Sequence, residues 1–175
     1  MSEQDTKNKM TIPGFRGSKP IELNIDATKE AEARFIESKD VNPITYNELE
    51  YVFGASYNEL KRHHSTVTYQ LVMADKALEQ TRATILLDKY PEFMKDKAKS
   101  QDNADMRKAF MMRDPEYLEA LDRIAMLKAV ESFIDGRIKV LENISRYMKK
   151  RMDLIIRSGL TNDQLYVTSG GKKNG

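Results

Sequence analysis

Residues 114–158 read DPEYLEALDRIAMLKAVESFIDGRIKVLENISRYMKKRMDLIIRS. Ala120, Ile124, Leu127, Glu131, Ile134, Ile138, Leu141, Ser145, Met148, Met152 and Ile155 alternate by four and three without a slip. All but Glu131 and Ser145 are apolar, and this is the rhythm of a coiled-coil seam. Asp114 as N-cap, Pro115 at the first helical position and Glu116 in the first turn make a strong helix start. Gly159 suits the position just past the end. A second stripe, Met126, Val130, Phe133, Val140, Ile144 and Tyr147, runs beside the seam and widens the apolar face enough for two neighbours.

Toward the N-terminus, residues 56–90 hold no Pro or Gly, and Leu60, His64, Val67, Leu71, Ala74, Leu78, Thr81 and Ile85 keep the same spacing. Two strings, Thr45-Tyr-Asn-Glu48 and Ser56-Tyr-Asn-Glu59, have the form of capping boxes, and their YNEL core repeats eleven residues on. They predict a short helix over 46–53, stopped by Gly54, and a long helix over 57–90. The long helix should end at Pro91, which lacks an N–H and bars the α region to the residue before it. The connector 91–113 is charged and should hold a short helix from about Ala104 to Met112, and the second long helix spans 115–157.

Residues 1–44 read as an extended, partly flexible arm. Ile21–Ile25 alternates like a strand, but no partner for it is evident. Residues 159–175 read as a flexible tail. The expected class is all-α: a helical core over 45–158, built as a long antiparallel hairpin with short flanking helices and assembling into a helical oligomer. Leu71, Leu78, Ile85, Ile124, Leu127, Ile134, Ile138, Leu141, Met148 and Met152 are the seam on which core and oligomer would be built.

Composition narrows the function. The 175 residues are 32% charged, with no Cys, no Trp and ten Met. Disulfides and thiolate metal sites are excluded. No run is apolar enough to span a bilayer and no secretory signal opens the chain, which suggests a soluble cytoplasmic protein. Catalysis has little to stand on. His63 and His64 are adjacent, about 100° apart on a helix, whereas helical metal pairs need three or four residues between ligands. No phosphate-binding glycine loop, nucleophile elbow or calcium loop is present. The chain therefore reads as a binding and assembly protein, not an enzyme, with no cofactor or metal.

The net charge of +2 makes any nucleic-acid affinity a matter of clustering. Between 146 and 157, Arg146, Lys149, Lys150, Arg151 and Arg157 face only Asp153. Compensation of the helix dipole accounts for two or three of these cations, not five. Antiparallel folding would add Lys61, Arg62, His63 and His64. Such a patch, repeated around an oligomer, would hold a phosphate backbone, with Tyr57 or Tyr147 for stacking. A second basic group surrounds the connector: Lys89, Lys95, Lys97, Lys99, Arg107, Lys108 and Arg113.

This layout resembles the UvsY-type recombination mediators of tailed phages over roughly Tyr57 to Leu154. The resemblance rests on YNELKRHH (57–64), the helix end Ala83–Tyr90, DMRKAFMMRDPEYLEALDRIAMLK (105–128) and VESFIDGRIKVLENISRYMKKRMDL (130–154). It implies a homo-oligomer that binds single-stranded DNA and helps load a RecA-like recombinase onto strands coated by single-strand-binding protein, in the host cytoplasm. The family's basic motif before the loop has no counterpart in 83–88, where Arg82 is the nearest cation. The alternative is a scaffolding coiled coil, such as a virion component, without DNA binding.

Overall fold

The computed structural model describes residues 9–13, 19–38, 41–98 and 102–158. In order these form β1 (Lys9–Ile12), β2 (Ile21–Asn24), α1 (Asp26–Glu37), α2 (Pro43–Thr84), a π-helical turn (Ile85–Lys89), α3 (Tyr90–Met94), α4 (Ala104–Met111) and α5 (Pro115–Ser158). The fold is mostly helical. The described residues form two compact units, one of residues up to His63 together with those from Ile134 onward, the other His64–Phe133. The Gly159 stop, the tail, Lys7, Arg16, Lys39 and Lys99 lie outside the described residues.

The first long helix starts earlier and ends later than its sequence predicts. Its N-cap is Asn42, whose Oδ1 accepts from the backbone N–H groups of Ile44 (2.9 Å) and Thr45 (3.0 Å). Thr45 Oγ1 in turn accepts from Asn42 N at 2.9 Å. This is a reciprocal cap with Thr45 as its third helical residue, and Pro43 opens the helix.

Gly54 does not stop the helix. A glycine inside a helix costs roughly 1 kcal/mol relative to Ala, but its neighbours Phe53 and Ser56 are 2% and 0% exposed, and their packing outweighs that cost. Ser56 is therefore no cap; its hydroxyl donates to Thr28 Oγ1 of α1 at 3.1 Å.

Pro91 does not end the helix either. Pro91 cannot donate to the carbonyl four residues back, so the chain widens for one turn. The Tyr90 N–H reaches the Ile85 carbonyl five residues back. Ile85 and Tyr90, 0% and 5% exposed, anchor both sides of the widened turn, and helix runs without a break from Pro43 to Met94.

The described residues of the N-terminal segment, 9–13 and 19–38, form regular structure and not the extended arm expected there. β1 supplies the partner that Ile21–Asn24 lacked in the sequence reading, antiparallel and in the register Lys9↔Asn24 to Ile12↔Ile21. Ile12 and Leu23 turn inward, at 1% and 2% exposure. In the first unit α1 buries Thr28 and Ala31 and sets Phe35 edge-on against Phe53 (6.1 Å) and Tyr147 (6.3 Å). Arg137 donates to Glu32 at 2.7 Å. Part of the second stripe of α5 thus meets a helix of its own chain.

The core of this unit combines Leu49, Phe53 and Leu60 of α2 with Ile134, Ile138, Leu141, Met148 and Ile155 of α5; Met152 is half-buried. In the other unit Val67, Leu71, Ala74 and Ile85 are buried, as are Ala120, Ile124 and Leu127, and Leu78 is half-buried. Two of the polar seam positions there, His64 and Glu131, meet. Glu131 accepts from Thr68 Oγ1 at 2.9 Å and lies 4.0 Å from His64 Nε2. Asp114 caps α5, accepting from Glu116 N (3.0 Å) and Tyr117 N (3.3 Å). Asn103 caps α4, accepting from Met106 N at 2.9 Å.

Two opposed substitutions test this account of α2. A Cβ at Gly54 would meet nothing within 4 Å, so Gly54→Ala should stabilise by about 0.5–1 kcal/mol. Asn42→Ala removes the cap and should cost about 1 kcal/mol. Urea unfolding followed by circular dichroism measures both.

Candidate nucleic-acid interface

The last turns of α5 carry the basic cluster of the first unit. With about 100° per residue, Arg146, Lys149, Lys150 and Arg157 fall within an arc of about 100°. All four are exposed, and none has an ion-pair or hydrogen-bond partner among the described residues. Asp153 is the one acid in that arc. Arg151, also exposed and unpaired, points roughly a third of a turn away, in line with Tyr147 and Leu154.

The candidates from α2 divide. Lys61 is exposed and holds its ammonium 5.3 Å from the centre of the Tyr57 ring. Arg62 is exposed, about 100° round from Lys61. His63 is committed elsewhere: its Nε2 donates to the Asn24 carbonyl at 2.6 Å, which ties β2 to α2, and its side chain is only 14% exposed. His64 falls in the other unit, beside Glu131.

Between α2 and α5, in the same unit, lies a cavity of about 540 Å³, lined by Glu50, Phe53, Gly54, Tyr57 and Asn58 from one helix and Leu141, Glu142, Ser145, Arg146 and Lys149 from the other. Two small residues, Gly54 and Ser145, are among those lining it, and a Cβ at Gly54 would meet nothing within 4 Å. A second cavity of about 430 Å³ adjoins it through Lys149 and is lined by Pro43, Tyr46, Asn47, Met152, Asp153 and Ile156. Tyr57 donates to Glu142 Oε1 and Tyr46 to Glu50 Oε1, each at 3.3 Å. Burial, and then the Glu50 carboxylate, push the Tyr46 phenol above its ordinary range. Tyr147 takes no part here; it packs on Phe35 of α1.

The YNEL echo was the overlooked signal. Eleven residues make just over three helical turns, so Tyr46-Asn47 and Tyr57-Asn58 lie on one face of α2. The echo is not two helix starts. It is one helix showing the same pair to a groove twice.

The connector group, in the other unit, is largely paired. Lys89 donates to Asp114 at 2.6 Å. Arg107 grips Asp102 through Nε (2.8 Å) and Nη2 (2.9 Å), and the Tyr90 hydroxyl donates to the same carboxylate at 3.0 Å. Lys97 sits 3.6 Å from the Phe93 ring centre, Lys95 pairs with Glu92 at 3.1 Å, and Arg82 with Glu79 at 3.7 Å. Phe93 and Tyr90 pack on Phe110, at 4.6 and 5.4 Å between centroids. Of the connector cations among the described residues, Lys108 and Arg113 are exposed with no side-chain partner among those residues.

Hydrogen bonds from Arg107 first, and then Tyr90, hold the Asp102 carboxyl below its usual range. At Asp114 burial acts to raise the carboxyl, but Lys89 and the two capping N–H groups outweigh it and hold it low.

Among the described residues no group of three or more His, Cys, Asp or Glu could hold a metal, and no helix is long and apolar enough to cross a membrane. Comparison with known proteins finds no matching family model, no matching curated protein and no matching solved structure.

The Asp102 cluster has a defined pH signature. A depressed folded pKa contributes stability above the unfolded carboxylate range, near pH 4, and that contribution is lost as pH falls through the folded value. Asp102→Asn should therefore melt below the wild type at pH 7, and the gap should close toward about pH 2. Thermal melts across that range, read in the near-ultraviolet dichroism of Tyr and Phe, check it.

Proposed function

We propose that the protein is a single-stranded-DNA-binding recombination mediator of the kind its sequence resembles, working as a homo-oligomer that helps load a RecA-like recombinase onto strands coated by single-strand-binding protein. The carrying observation is the arc of unpaired cations on α5. Cations that serve the fold are tied to carboxylates or rings, as Lys89, Lys97 and Arg107 are. Arg146, Lys149, Lys150 and Arg157 are tied to nothing among the described residues. They stand at the end of a helix, where a backbone of phosphates would meet them together. The recombinase and the strand-coating protein enter this reading from the resemblance alone.

In this reading α2 and α5 form one long antiparallel hairpin. Its support is the order of the contacts, Tyr57 with Glu142, Thr68 with Glu131 and Lys89 with Asp114, which ascends along one helix and descends along the other. Self-association finds support in the outward side of α2. Tyr69 is 62% exposed, and Val72 and Met73 follow it one turn on. Apolar residues grouped at helical spacing on a surface mark a contact face. That face would serve a purely scaffolding protein as well, so the second reading is assembly without DNA.

Fluorescence anisotropy with a labelled oligonucleotide separates the two. Reversal of Arg146, Lys149, Lys150 and Arg157 to Glu should weaken binding at least tenfold while leaving the mass in solution unchanged. Reversal of Lys95 and Lys97 should have little effect. If all four cations meet phosphates, log K should fall with log salt at a slope of about −3, from roughly 0.7 per phosphate on a single strand. A protein that assembles but binds no oligonucleotide at low salt is a scaffold.

A further inference from the structure

The two cavities beside the basic arc are copies of one another. A step of eleven residues up α2 carries Tyr46 to Tyr57 and Asn47 to Asn58. A step of eleven down α5 carries Asp153 to Glu142, Met152 to Leu141 and Ile156 to Ser145. Each cavity thus has a tyrosine ring, an asparagine amide, a carboxylate and an apolar floor. Arg146 lines the first cavity and Lys149 lines both, while Arg157, eleven residues beyond Arg146, follows Ile156 of the second in the chain. Eleven residues is nearly a whole number of turns, so the equivalent side chains point the same way, about 16 Å apart along the helices.

We infer that this groove is a two-seat binding site for the bases of a single strand, one base against Tyr57 and another against Tyr46. A site that repeats itself by translation fits a ligand that does so too, and the cations beside it select a polyanion. Tyrosine supplies the stacking surface that every base accepts. Asparagine and the carboxylate offer donors and acceptors to a base edge. The seats are several times farther apart than the 3.4 Å of stacked neighbours on a strand, so the two bases are not adjacent and the bases between them turn outward. This inference rests on the DNA reading and makes it specific: the cations hold phosphates and the tyrosines hold bases.

The test compares a poly-thymidine oligonucleotide with one of the same length in which every nucleotide is abasic. The proteins are the wild type, Tyr46→Leu, Tyr57→Leu, the double Leu variant, and Tyr57→Phe, with melting curves to show that each is folded. A stacked base is worth roughly 1–3 kcal/mol, or about fivefold to more than a hundredfold in affinity. Each Leu variant should therefore bind the intact strand at least fivefold more weakly, the double variant more weakly still, and Tyr57→Phe like the wild type. The salt slope should not change, and wild type and double variant should bind the abasic strand alike. Gly54→Leu, which fills one seat without touching a tyrosine, should act as Tyr57→Leu does. Leu variants that bind the intact strand like the wild type, or that lose the abasic strand equally, overturn the inference and leave the DNA reading in place. Failure of the wild type to bind either strand overturns both.

Discussion

Neither long helix can stand alone. Each carries one continuous apolar seam, and isolated helices draw their stability from tertiary packing of that seam more than from intrinsic propensity. Everything else follows from the pairing of these seams within each unit. Leu60, Leu127, Ile134 and Leu141 are at most 2% exposed, which leaves local signals too weak to interrupt the helices that present them. A glycine or a proline acts on the scale of 1–3 kcal/mol, and one buried leucine is worth as much. For that reason Gly54 stays helical and Pro91 is absorbed by a wider turn.

The same pairing sorts the charges. Where a cation lies near the contact between elements, a carboxylate or a ring meets it: Arg137 with Glu32, Lys89 with Asp114, Arg107 with Asp102. In the last turns of α5 the cations Arg146, Lys149, Lys150 and Arg157 have no such partner among the described residues, and Asp153 is the one acid within their arc. The basic groups at the two places are similar in composition and differ in what they are free to do. His63 shows the limit of reading by proximity in sequence. It neighbours Lys61 and Arg62, yet a strand from the N-terminal segment covers it.

Much of the helical frame was legible in the residues. The heptad spacing identified many of the buried positions on both helices, though Leu78 and Met152 are only half-buried, and Asp114-Pro115 marked the start of α5 at the residue where it begins. The misreadings had one cause. A capping box, a glycine and a proline are local signals, and each was weighed without the packing that overrode it. Thr45 did belong to a capping box, but as its third helical residue, because Asn42-Pro43 is the stronger start. β1 was missed because KMTI is short and half polar, and a two-stranded pairing is visible only once the strands meet.

The sequence by itself determined the periodicities: two seams, a second stripe on α5, and an eleven-residue echo. These depend only on residue order and on 3.6 residues per turn. What the tertiary structure alone decided is what each face meets. It set α1 against part of the second stripe, so Tyr147 packs on Phe35 and not in the groove. It set the echo of α2 across from a matching step in α5, so that two ordinary YN pairs line two equivalent cavities. It also decided which cations are paired. A helix specifies direction and spacing along its own axis, but the neighbour that fills or leaves open each face comes from residues distant in the chain.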